Sequence, residues 1–382
     1  MTTLMLLRVK STDIALNKPI PYAIYDEDGN LLLRAGAAIT IPRYLEILLA
    51  RGAYFDRIEI QQSKKASEAA KKPVEEQPVF AQVEGLLLNL KHVYTTFVQT
   101  PERIDLPKRI RALAQQLQLA CDKGADAALA ALHLDQSAPY RVHHQLLCAV
   151  IVELTARGMS LTADERLPLL CAALTHDIGL IEAGEALEAA KPPLSAALRE
   201  TVQTHPVRAA EILEKNGVSD ALWLEAVRNH HERLDGSGYP LGITGGGIGL
   251  GGRLLAIADV YGALIRSRPY RSNAYFPQNA LRDIFLDNTR LDSALIQVTI
   301  KSIGMMPPGS IVRLENGEIG VVRSRGAGPN AVRVFCVYNP AGMPMLNPIE
   351  RDIKNPAYAV AGKVNYDECR SAEVLMRRLW MT

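Results

Sequence analysis

Five of the eight histidines, His144, His176, His205, His230 and His231, stand with Asp177 and Asp259 in or at the ends of apolar segments with helical spacing. A fold that accepts this chain must place seven ionisable side chains beside a hydrophobic core, and such groups are costly to bury unless something compensates them. His176 and Asp177 follow LPLLCAALT and precede Gly179, which predicts an adjacent His-Asp pair at a helix C-terminus. His205 precedes Pro206, and proline favours the first helical position, so this histidine is expected at an exposed helix cap. His230 and His231 end another helical run, and Asp259 lies within RLLAIADVYGAL, where a carboxylate among apolar neighbours needs a metal or a donor. Imidazole and carboxylate together suit borderline divalent ions such as iron, manganese or zinc. With no cysteine expected near the cluster, a catalytic metal site fits better than a structural zinc site. His92 and His133 are read as hydrogen-bonded core residues and His143 as non-ligating.

Composition narrows the setting. At 382 residues the chain exceeds one ordinary core, and 48% hydrophobic with 22% charged residues is the balance of a globular protein. A formal charge of +2 gives no global field for a nucleic-acid polymer or an anionic membrane, so an anionic ligand must be held locally. The five cysteines form no CxxC pair and are expected as buried thiols in a reducing cytoplasm. No apolar run reaches the ~18 residues of a spanning helix, so a cytoplasmic location and no membrane partner are expected.

The hydrophobic period changes along the chain. Residues 1–60 read as a small β-rich unit, with a hairpin turn at Asp28-Gly29 and a helix in RYLEILLARG stopped by Gly52. The polar stretch over 61–80 reads as a flexible linker. From 81 to 300 the spacing is helical, as in VEGLLLNLKHVYTTFV and HQLLCAVIVELTARG. Beyond Pro307-Pro308, a hairpin at Asn316-Gly317 and the run VRVFCVYN give a β-rich region over 301–382. The expectation is a mainly α protein, a helical domain flanked by small β-rich units. TGGGIGLGG at 244–252 contains a formal GxGxxG, but no strand precedes it, so it is read as a flexible loop and not a dinucleotide site.

Four motifs, HDIGL at 176–180, THP at 204–206, HHERLDGSGYP at 230–240 and IADVYGALIRSRPYR at 257–271, give the chain a specific resemblance to the HD-GYP family, with the core motifs over 138–285. The resemblance implies a metal-dependent phosphodiesterase that opens cyclic di-GMP to pGpG, which some members of the family hydrolyse further to GMP. It implies two divalent ions, iron or manganese: one on His144, His176, Asp177 and Asp259, the other on Asp177, His205, His230 and His231. Asp177, the bridging ligand, is then the pivotal catalytic residue, and two ions about 3.5–4 Å apart can activate a water and clamp a phosphodiester. Tyr239, Arg268 and Arg271 would bind the substrate. Signalling proteins and a second copy of the chain are further expected partners.

Two positions depart from the family. Where it usually has a lysine for the substrate phosphate, this chain has Leu180, and where some members place a glutamate for a third ion, it has Tyr140. Loss of a charge-assisted contact slows catalysis, which keeps two other readings open: a weak or inactive nucleotide-sensing scaffold, and a phosphohydrolase of another cyclic dinucleotide.

Overall fold

The computed structural model describes residues 6–56, 60, 77–190, 193–266, 275–326 and 331–381. The linker expected over 61–80 lies mostly outside these residues. The chain divides into two compact units, Met1–Glu76 and Gln77–Thr382.

In the first unit, β1 (Leu6–Arg8), β2 (Ile24–Tyr25), β3 (Leu31–Leu33) and β4 (Tyr54–Asp56) form an antiparallel sheet of order β1-β4-β2-β3. The β2–β3 turn falls at Asp28-Gly29: Gly29 has φ 84°, and the Asp26 carboxylate accepts from the Asp28 and Asn30 amides. Helix α1 (Pro42–Ala50) starts on a proline and stops before Gly52, at φ 85°. Ile20, Ile24, Ile39, Leu48 and Phe55 form its small core.

The second unit is helical around one segment. Helices α2 (Val79–Gln99), α3 (Leu106–Leu134), α4 (Tyr140–Gly158), α5 (Ala163–Thr175), α6 (Gly184–Ala189), α7 (Ala196–Lys215), α8 (Ala221–Asn229), α9 (Leu250–Ile265), α10 (Pro277–Leu286) and α11 (Ser293–Ile303) precede the C-terminal strands. Helix α4 is apolar nearly all round, and every residue from Val142 to Ala156 is buried. Such a helix must be covered on every side, and α2, α3, α5, α9 and α11 pack against it. Thr162 and Glu165 form a capping box that starts α5. Among the described residues no helix is long and apolar enough to cross a membrane.

The glycine run is a correction to the loop expectation: its second half is the start of α9, not a free loop. A Cβ on Gly251 would lie 2.7 Å from that of Ala226, and one on Gly249 would lie 2.7 Å from the Glu225 carboxylate, so these glycines let α9 meet α8 closely.

Strands β5 (Ile311–Leu314), β6 (Ile319–Arg325), β7 (Val332–Tyr338), β8 (Pro344–Arg351) and β9 (Val360–Lys363) make an antiparallel sheet of order β8-β7-β6-β5-β9, with Gly317 at φ 87° in the β5–β6 turn. Alternation along the strands separates two apolar faces. Ile311, Ile319, Val321 and Val337 join the helical core, while Val312, Leu314, Val322, Val334 and Cys336 form a second small cluster. Helix α12 (Glu373–Arg378) follows, and Trp380 stacks on Phe80 of α2.

His133 joins helices to sheet region: Nδ1–H donates to the Pro308 carbonyl at 2.7 Å, and Nε2 accepts from the Tyr261 hydroxyl at 2.9 Å. Burial pushes its pKa down to about 4, against the Pro308 hydrogen bond that raises it. A depressed histidine pKa contributes stability that is present above the unfolded value near 6.5 and is lost as pH falls below it. Between pH 7 and pH 5, wild type should therefore lose about 1–2 kcal/mol more than His133→Gln, measured by urea unfolding at both pH values; equal losses would contradict this.

Candidate metal centre

Helix ends decide where the histidines point. The last carbonyls of a helix lack an amide donor. Helix α5 ends at Thr175, and His176 Nδ1–H donates to the Ala173 carbonyl at 2.8 Å. Helix α8 ends at Asn229, and His230 Nδ1–H donates to the Val227 carbonyl at 2.7 Å. His205 reaches the same state differently, and corrects the cap expectation. It is buried within α7, with Pro206 inside the helix. Proline has no N–H for the carbonyl four residues back, so the Val202 carbonyl accepts from His205 Nδ1–H at 2.7 Å instead. In all three rings Nε2 is left as the lone-pair nitrogen, the state that binds a metal.

Close backbone contacts bring these elements together. The short 3-10 turn Ile178–Leu180 lies against α7, where a Cβ on Gly179 would sit 2.4 Å from the His205 carbonyl oxygen. A Cβ on Gly262 would lie 2.9 Å from His144 Nδ1, so that glycine lets α9 carry Asp259 up to α4.

The seven side chains form a closed circuit. Asp259 Oδ1 accepts from His144 Nε2 at 2.9 Å, and Asp259 Oδ2 lies 3.6 Å from His231 Nδ1. The His231 and His230 ring centres are 4.1 Å apart, and His230 Nε2 lies 3.2 Å from His205 Nε2. Asp177 Oδ1 is 3.3 Å from His205 Nε2, and Asp177 Oδ2 is 3.7 Å from His176 Nε2. The His176 and His144 rings, 5.5 Å apart, close the loop.

Burial lowers the pKa of His176, of His230 strongly, and of His231 to about 3, so the rings are neutral near pH 7. Burial alone would raise Asp259, but the His144 hydrogen bond and the nearby His231 outweigh it and hold this carboxyl well below its ordinary value. Asp177 is likewise held well below its usual range: burial alone would raise it, but the neighbouring His176 and His205 outweigh that.

This donor set fits divalent ions. His176 Nε2 is buried without a hydrogen-bond partner among the described residues, and an orphaned nitrogen is rare unless a ligand satisfies it. His205, His230 and His231 form one group whose ligand atoms lie within 4.8 Å of one another, and His176, Asp177 and His230 form another. A third group adds a donor absent from the sequence expectation: Cys148, one turn beyond His144, has Sγ 3.8 Å from His144 Nε2. Its i, i+4 spacing was the available signal.

A cavity of about 640 Å3 opens over the centre. His144, Asp177, His205, His231, Tyr239 and Asp259 line it, with Leu180, Leu187, Leu194, Val260 and Leu264 as apolar wall. Tyr239 stacks on His231 at 4.6 Å, and Tyr140 on His144 at 5.5 Å. Glu232, missed in the sequence reading, is buried and accepts from the Leu241 and Ile243 amides at 2.7 and 2.9 Å, which folds the GYP turn back over it. Arg141 and Arg233, also missed, are the guanidinium groups lining the cavity among the described residues. Arg268 and Arg271 lie outside the described residues. His143 is not part of the circuit: its Nε2–H donates to the Leu132 carbonyl at 2.7 Å. His92 is exposed on α2, a correction to its core reading.

The helical domain matches known proteins. An HD domain profile matches residues 99–295. A cyclic di-GMP phosphodiesterase of Pseudomonas aeruginosa is 30% identical over 55% of this chain and 50% of its own length. A 3'3'-cGAMP-specific phosphodiesterase of Vibrio cholerae is 33% identical over 46% of this chain and 38% of its own. The chain thus spans about half, or less, of the length of these curated relatives. Among solved structures, an HDG"Y"P protein from Bdellovibrio bacteriovorus shares the fold, with a TM-score of 0.51, 16% identity, and coverage of 78% of this chain and 98% of that one.

Gly179→Ala should cost about 1–3 kcal/mol in chemical denaturation, because the added methyl must push α7 away. Gly85→Ala, whose methyl meets open space in α2, should be neutral or stabilising. Equal effects of the two would contradict the close-approach role of Gly179.

Proposed function

Because the chain belongs to the HD domain family and carries the HD-GYP signature within it, we propose that it is a metal-dependent cyclic dinucleotide phosphodiesterase that opens cyclic di-GMP to pGpG. The observation that carries this reading is the closed circuit of seven nitrogen and oxygen donors at the floor of a cavity. That cavity, about 640 Å3, falls in the range of about 300–1,000 Å3 that small-molecule ligands use.

His144, His176, Asp177 and Asp259 would hold one divalent ion, and Asp177, His205, His230 and His231 a second, with iron or manganese suited to the donor set. Such ions, when bound, supply Lewis acidity and an acidified water beside the scissile phosphate. The protein's own part is positioning. Asp177, shared between the two ligand groups, fixes their spacing, and the Nδ1 anchors of His176, His205 and His230 keep their Nε2 atoms turned inward. Tyr239, stacked on His231, offers its ring to a guanine and its hydroxyl to a phosphate. The aliphatic wall excludes bulk water, which strengthens every charge interaction inside. Water adds to phosphorus, one P–O ester bond breaks, and a linear dinucleotide leaves. Tyr140 on His144 brings no carboxylate, which favours two ions over three.

Protein loaded anaerobically with iron or manganese should convert cyclic di-GMP to pGpG, and Asp177→Ala should reduce turnover by about 10²–10³-fold or more. Equal product from both would overturn the site. Binding of nucleotide without turnover would favour the scaffold reading that Leu180 raises, and cleavage of 3'3'-cGAMP alone would move the substrate within the same class. In Pro206→Ala, a new backbone N–H competes with His205 for the Val202 carbonyl. Metal affinity by chelator competition should fall about tenfold with the fold intact; unchanged affinity would contradict the proline's role.

A further inference from the structure

A cyclic dinucleotide brings two phosphates into a cavity whose Leu180 offers them no charge, so the contact a lysine would make there is open to another cation. Two guanidinium groups line the cavity among the described residues. Arg233 braces the turn after α8, its Nη1 donating to two carbonyls, of His230 at 3.2 Å and Glu232 at 2.9 Å.

Arg141 is placed differently. Its Nη1 donates to the carbonyl of Leu180 itself, at 2.7 Å. Its guanidinium rests against Gly184, where a Cβ would lie 2.7 Å from Nη2 and 3.0 Å from Nη1, so that glycine makes the seat. No carboxylate pairs with it among the described residues. It also sits in the first turn of α4, where the helix dipole disfavours a cation. An arginine held by its carbonyl contact in a dipole-opposed place, one turn before His144 and beside the centre, keeps Nε–H and Nη2–H donors for the oxygens of a phosphate.

We propose that Arg141 is a phosphate-binding cation of this cavity, taking over from the α4 side the contact that Leu180 cannot make. The inference rests on the phosphodiesterase reading for its substrate. The Leu180 carbonyl orients the guanidinium, and the remaining donors meet a non-bridging phosphate oxygen.

The test compares wild type, Arg141→Ala, Leu180→Lys and the double variant, all metal-loaded, for steady-state hydrolysis of cyclic di-GMP and for calorimetric binding of pGpG. Arg141→Ala should lower kcat/KM about 10²-fold and weaken pGpG binding at least about tenfold. Adding Leu180→Lys to Arg141→Ala should restore at least about tenfold of each, because the lysine returns a cation to the same phosphate. Unchanged kcat/KM and pGpG affinity in Arg141→Ala would overturn the proposal. So would a loss that Leu180→Lys leaves unrestored with a lowered melting temperature, since that marks Arg141 as a brace for the Leu180 turn. A wild type that binds pGpG through Arg141 yet hydrolyses no cyclic dinucleotide would sink the phosphodiesterase reading and leave this contact standing.

Discussion

Three histidines in this protein are aimed by one kind of hydrogen bond, from Nδ1–H to a main-chain carbonyl three residues earlier that the helix has left without a donor. Two of those carbonyls are free because a helix stops, and the third because a proline sits where an amide would be. The rest of the centre depends on this device. It fixes the tautomer and turns bare Nε2 atoms toward Asp177 and one another, an arrangement of neutral lone pairs that is costly with nothing between them. Burial keeps the His176 and His230 rings neutral, so the helical core that surrounds α4 sets the chemistry of the site as well as its shape.

The glycines serve the same end at a different level. Gly179, Gly251 and Gly262 are each sites where a methyl would meet another element, and together they bring α7, α8 and α9 close enough for their polar ends to converge. Gly184 does this for a side chain, seating the Arg141 guanidinium beside the cavity. Close approach at a few positions lets one pocket draw donors from α4, α7, α9 and the ends of α5 and α8.

Much of this was legible in the sequence. Helical spacing marked the segments, Gly29 and Gly317 marked the two hairpins, and the placement of His176 and His230 at helix ends followed from the apolar runs before them. Local rules failed where tertiary context overrode them. Pro206 suggested a helix start, but the helix runs through it because the freed carbonyl has a side-chain partner. The glycine run looked like a loop because its packing against Glu225 and Ala226 is a property of α8, which no local window contains. Cys148 was readable from its four-residue spacing to His144, whereas the proximity of Arg141 to Leu180, 39 residues later, was not.

The central claim is that donors from five segments enclose two cations that share Asp177. Anomalous diffraction from crystals grown with manganese tests it most directly. Two anomalous peaks are expected, both within coordination distance of Asp177, one also contacting His144, His176 and Asp259 and the other His205, His230 and His231. Peaks away from these side chains, or none among them at saturating manganese, would contradict it.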